Sequence, residues 1–212
     1  MSGSGSLSLT PGGFDVVAHT TLVLVRHAQA QRVGAGDPGL TAEGAAQAER
    51  LAVGLKKEQF DAVYCSPLRR TVETAAPVCA QLGLEAHLRD GLAEFDRKAS
   101  EYVLLRDLRA AGDPRYDACM NGDLTSWGTD LATFRADALG VIGEILERQA
   151  GGRVLVVTHG GVLNVLVGSV LGLGGPWFFF LPDNCGLTRV VADTEGRLRL
   201  ASLNETQHLH AG

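Results

Sequence analysis

Leu22-Val23-Leu24-Val25-Arg26-His27-Ala28-Gln29 is an aliphatic run that breaks at an arginine and a histidine. Four consecutive aliphatics suit a strand covered on both faces, the pattern of a mostly parallel sheet. In open α/β sheets the carboxyl ends of such strands face the ligand crevice. A histidine there stands in a cleft beside a fixed positive charge. Taken alone, the octet fits equally a strand end whose Arg and His only cap a loop.

A second stretch ends the same way. Arg153-Val154-Leu155-Val156-Val157-Thr158-His159-Gly160-Gly161 breaks at a histidine, and an apolar helical segment follows. The glycine pair lets the backbone come close to a ligand, and the helix start behind it offers unpaired N–H groups to an anion. Two aliphatic strands ending in histidine, one with arginine attached, describe a site for a small anionic group.

Together with a third motif these stretches resemble the histidine phosphatase superfamily, with its phosphoglycerate-mutase-like fold. Arg26-His27 resembles the family signature, with Ala28 where a glycine is usual. Ser66-Pro67-Leu68-Arg69-Arg70, continued to Thr74-Ala75, matches the second-arginine motif, and Thr158-His159-Gly160-Gly161 matches the distal histidine motif. The resemblance spans roughly residues 20 to 195, and three motifs in order are far more specific than any one.

The chain of 212 residues is long enough for one well-buried domain, and 45 % apolar with 20 % charged residues is ordinary globular composition. A net charge of −5 leaves no basic footprint, which argues against nucleic acid as a partner. Cys65, Cys79, Cys119 and Cys185 are scattered without zinc-like spacing and read as free thiols in a reducing, cytoplasmic setting. The expected organisation is a flexible tail over residues 1–18, rich in Ser and Gly at its start, then a single domain over 19–212. No apolar run is long enough to span a bilayer, so no membrane partner is expected.

Between the motifs, Thr41 reads as an N-cap, with Ala48, Leu51, Ala52 and Leu55 on one helical face. Residues 60–64 alternate as a strand, and Ser66-Pro67 suits the first positions of a helix with Leu68, Val72, Ala75, Cys79 and Leu82 buried. Pro77 should kink that helix. A short strand at 84–88, a loop at 89–96 and a helix at 101–111 follow. Residues 112–128 read as a loop insertion. Leu131, Phe134, Ala138, Val141, Ile142 and Ile145 define a long amphipathic helix, and 187–192 with 198–203 a closing hairpin-like pair. Strands alternating with helices give an α/β fold: a three-layer sandwich with a mostly parallel central sheet of about six strands flanked by helices.

A phosphomonoester brings roughly two negative charges. Two guanidiniums can grip its oxygens, and an imidazole in line can attack phosphorus and carry the phosphoryl group between two easier displacements. The resemblance implies that His27 is this nucleophile. It assigns Arg26, Arg70 and His159 to the phosphate pocket, with Gly160 beside them. The attacking ring must be neutral, its other nitrogen held by a carbonyl. By the same resemblance the proton for the leaving oxygen comes from Glu94, with Asp96 in reserve. Here Arg97-Lys98-Ala99 replaces the family's usual Gly-x-Trp-Glu-Gly-like continuation. Gln29, Ala30 and Gln31 stand where Glu and Asn often follow the nucleophile. Arg69 reads as solvated or substrate-facing.

These features imply a metal-independent phosphomonoester hydrolase with no cofactor and no metal ligands. Its expected substrate is a phosphorylated small molecule, with a phosphoprotein kept open. The alternatives are a phosphoglycerate-mutase-type phosphotransferase and a non-catalytic phosphate-ligand binder. Cysteine-dependent phosphatase chemistry is rejected, because Cys65 and Arg70 have four residues between them instead of five and one is Pro67. The aromatic run Trp177-Phe178-Phe179-Phe180-Leu181 has two readings, an interface for a homodimer or completion of the core.

Overall fold

The four aliphatics of the opening octet are fully buried, two on each side of one sheet. Leu22 and Leu24 face one apolar core while Val23 and Val25 face another. Strand alternation on a doubly covered sheet produces this division. The strand β1 runs Thr20–Arg26. The computed structural model describes residues 19–32 and 36–210. The expected tail over 1–18 lies outside them, as do 33–35 of the loop after β1.

Strands β2 (Ala62–Cys65), β3 (Ala86–Leu88), β4 (Arg153–Thr158), β5 (Leu187–Ala192) and β6 (Leu198–Glu205) complete a six-stranded sheet in the order β3-β2-β4-β1-β5-β6. The pairs β1–β4, β2–β4 and β2–β3 are parallel, and β5 runs antiparallel to both neighbours. Helices α1 (Ala42–Leu55) and α2 (Arg69–Leu82) cover the face bearing Val23 and Val25. Helices α5 (Leu131–Arg148) and α6 (Gly160–Leu171) cover the other. The mostly parallel three-layer α/β sandwich is the expected one.

Register decides where the motifs meet. Arg26 lies opposite Thr158, and Val157 lies between Val25 and Cys65. His27, Ser66 and His159 each follow directly on one of these strand ends. The amide of His27 donates to the Thr158 carbonyl at 2.9 Å and that of Ser66 to Val157 at 3.0 Å. Three motifs distant in sequence therefore end at one edge of the sheet.

Several local expectations are corrected. Helix α2 begins at Arg69 instead of at Ser66-Pro67, with extended Leu68 at the N-cap position and the Ser66 hydroxyl bonded to His159. Its buried side is Arg70, Thr71, Thr74, Ala75 and Val78, with Val72 at the surface. The later start turns the polar residues of its first turns toward the site. The helix expected over 101–111 is α3 (Leu105–Ala111), since Tyr102 to Leu104 stay extended along the pocket. The insertion at 112–128 contains α4 (Pro114–Met120), whose N-cap Asp113 accepts from the Arg115 amide at 2.9 Å. Asp followed by Pro at the first helical position was a legible start signal that the reading passed over.

The aromatic run turns inward at one end. Trp177 is buried, donates from Nε1 to the Cys119 carbonyl at 2.6 Å, and meets Phe95 and Phe134 edge-on at 5.8 and 6.0 Å. Phe178, Phe179 and Phe180 are half-buried, and Leu181 is 79 % exposed. No helix among the described residues is long and apolar enough to cross a membrane.

Candidate active site

A cavity of about 310 Å³ opens over the strand ends and is lined at its floor by Arg26, His27, Arg70, Glu94 and Gly160. His27 is buried, and its Nδ1 lies 2.8 Å from the Ala28 carbonyl. A carbonyl only accepts, so in the neutral ring Nδ1 carries the hydrogen and Nε2 keeps its lone pair. Burial first, then the charges of Arg26 and Arg70, hold the His27 pKa well below its ordinary value. The ring is thus neutral at physiological pH. Its backbone is fixed as well: the Asn184 amide donates to the His27 carbonyl at 2.8 Å, and the Ala28 N–H donates to Thr74 Oγ1 at 2.9 Å.

His159 faces His27 with ring centroids 5.1 Å apart. Its Nε2 lies 2.8 Å from Ser66 Oγ, which also accepts from the Leu68 amide at 3.3 Å. The serine hydrogen is best used on His159 Nε2, which makes that atom an acceptor and leaves the hydrogen on Nδ1. Nδ1 is buried without a hydrogen-bond partner among the described residues, as are Arg26 Nε and Arg70 Nε and Nη1, the last of these 3.7 Å from Asp37 Oδ1. Leaving such donors unmatched costs about 1–3 kcal/mol each. A tetrahedral anion with three free oxygens supplies the acceptors they lack.

The arginines are held from behind. Arg26 Nη1 donates to the Pro182 carbonyl at 2.5 Å. Arg70 is 1 % exposed, donates from Nη2 to Asp96 Oδ1 at 2.9 Å, and stacks over the Tyr102 ring at 4.7 Å. Breaking a buried pair of this kind is strongly destabilising, because it leaves one charge alone. Asp96, the reserve acid, is therefore occupied as the counter-ion of Arg70. Arg69 is solvated and pairs with Glu73 at 2.6 Å.

Glu94 sits where the acid was expected. Its Oε2 accepts from the Gly161 amide at 2.8 Å and its Oε1 from Phe95 at 3.3 Å. Burial and then the charge of Asp96 push its pKa up to about 7, overriding those two hydrogen bonds and Arg70. The helix-start amide at Gly161, expected to face a ligand anion, thus serves this carboxyl. A Cβ on Gly161 would stand 2.2 Å from Glu94 Oε1, so the second glycine of the motif makes room for this carboxyl. Thr74 and Asn184 are supporting residues to which the sequence assigned no role, while Ser66 and Gly161 hold His159 and Glu94 instead of capping a helix and facing a ligand. Ser66, Thr74 and Gly161 lie inside the quoted motifs, which was the available signal.

A family model described as the histidine phosphatase superfamily, branch 1, matches residues 22–206. Phosphoserine phosphatase 1 of Hydrogenobacter thermophilus is 29 % identical over 203 residues, covering 89 % of this chain and 93 % of that one. The adenosylcobalamin/alpha-ribazole phosphatase of Escherichia coli is 30 % identical over 175 residues, 77 % and 86 % of the two chains. A solved phosphoserine phosphatase from Entamoeba histolytica, in complex with 3-phosphoglyceric acid, superposes with a TM-score of 0.74 at 26 % identity, covering 90 % of this chain and 99 % of that one. With its three motifs gathered at one sheet edge, the chain belongs to the histidine phosphatase superfamily.

Proposed function

We propose that this chain hydrolyses phosphomonoesters without a metal ion, through a phosphohistidine on His27. The observation that carries the reading is a buried imidazole at His27, its Nδ1 tied to the Ala28 carbonyl, beside donors of Arg26, Arg70 and His159 that lack hydrogen-bond partners. The lone pair on Nε2 attacks phosphorus, the P–O ester bond breaks, and the alcohol oxygen takes the Glu94 proton as it leaves. Water then attacks the phosphohistidine and gives a proton to the Glu94 carboxylate. The P–N bond breaks, its electrons return to Nε2, and phosphate departs. The guanidiniums and His159 Nδ1–H stabilise charge on the equatorial oxygens in both steps.

The test is direct. Alkaline quenching during turnover of a ³²P-labelled ester should trap acid-labile, base-stable label on the peptide holding His27. His27→Ala should abolish both label and turnover. Unlabelled enzyme at full turnover, or near-normal rates in the variant, would end the phosphohistidine reading. A mutase needs cations for a second acidic group on the substrate, and among the described residues the cavity lining adds a single further cation, Arg106, to Arg26 and Arg70. Hydrolysis is the reading that asks less of this pocket. Four free thiols fit a cytoplasmic setting.

A further inference from the structure

Above its catalytic floor the cavity changes character. Val103, Leu104, Leu105, Trp127, Phe178 and Leu181 form the walls through which a leaving alcohol must pass. The first four lie in the stretch between Glu94 and α5. That segment is anchored: Tyr102 packs on Arg70, and Trp127 meets Phe95 edge-on at 5.2 Å.

Three of the polar side chains at this level are already engaged. Gln29 Oε1 accepts from Thr41 at 2.8 Å, Asn184 Nδ2 is bonded to the His27 carbonyl, and Asp183 Oδ2 accepts from Asn204 at 2.8 Å. Arg106 is the remaining cation, its side chain 61 % exposed and 3.6 Å from Asp107. Charge points the same way. Three arginines line the cavity against Glu94, Asp96 and Asp183, so even with Glu94 protonated the phosphate dianion more than cancels their surplus. A second anion on the leaving group would enter a pocket already negative, facing Asp183.

We infer that the preferred substrates are phosphomonoesters of large, uncharged, apolar alcohols, not phosphorylated hydroxy acids or amino acids. This rests on the phosphatase reading above and specifies its leaving group. Leu181, 79 % exposed at the rim, is apolar surface that such a group would cover.

A homologous series from ethyl to octyl phosphate separates the two ideas. Each methylene taken into an apolar pocket is worth about fourfold in binding. The ratio kcat/KM should therefore climb by roughly that factor per carbon until the cavity is filled, then level off. Phosphoserine and 3-phosphoglycerate should lie below hexyl phosphate by at least an order of magnitude, about 10-fold or more. Leu104→Ser and Phe178→Ser should flatten the slope of the series. A flat series in the wild type, or phosphoserine as the better substrate, overturns the inference while leaving the phosphatase intact. Hydrolysis of no ester at all, with no label on His27, would instead be a failure of the phosphatase reading itself.

Discussion

Replacing Glu94 by glutamine keeps an oxygen for the Gly161 amide and removes only the titratable proton. At a pKa of about 7, roughly half of the enzyme carries that proton at neutral pH, whereas at the ordinary value of 4.5 only about 0.3 % would. The pocket thus raises the competent population by roughly two orders of magnitude. For hexyl phosphate, whose alkoxide must be protonated as it departs, kcat/KM should fall by about 10²-fold or more. For p-nitrophenyl phosphate, whose phenolate leaves largely unaided, the same ratio should change far less.

The wild-type profile for the alkyl ester should fall above pH of about 7, and this limb should vanish in the variant. Stability gives an independent check of the same proton. A carboxyl whose folded pKa is raised contributes stability that is fully present below 4.5 and lost as pH rises through about 7. Relative to Glu94→Gln, the wild type should therefore lose up to about 3 kcal/mol across that window in urea unfolding at pH 4 and pH 8. Equal losses on both esters, with the limb near pH 7 retained, would mean that Glu94 shapes the pocket and is not the acid.

Gly161→Ala places a methyl against the Glu94 carboxyl, so alkyl ester hydrolysis should drop by about 10-fold or more while p-nitrophenyl phosphate is spared. Ser66→Ala frees the His159 tautomer, and kcat should fall for both esters, with partial recovery in Ser66→Thr if the hydroxyl is what matters. With arginines supplying the charge, exhaustive chelation should leave the rate unchanged and vanadate should inhibit; strict dependence on added magnesium or zinc would contradict the mechanism. If Phe178 to Leu181 join two copies, sedimentation velocity should show a concentration-dependent dimer, and a monomer at every concentration removes that homodimer.

Much of this was legible in the order of residues, for physical reasons. Four aliphatics in a row suit a strand whose two faces are both dry, so β1 and β4 announced a covered sheet with His27 and His159 at its carboxyl edge. Arg26 was legible because a charged residue at such a strand end stands at the crevice, whereas Arg70 and Glu94 were legible through the motifs they share with the family. What pairs with what was not legible. Asp96 could be a reserve acid until the fold brought Arg70 to within 2.9 Å and made it a counter-ion. Ser66 read as a helix cap because local spacing cannot reveal a partner 93 residues away in sequence. The walls of the cavity come from a segment whose helices α3 and α4 are short and weakly periodic. Only tertiary packing, with Tyr102 on Arg70 and Trp127 against Phe95, decided that residues 102–106 and Trp127 line the cavity beside His27.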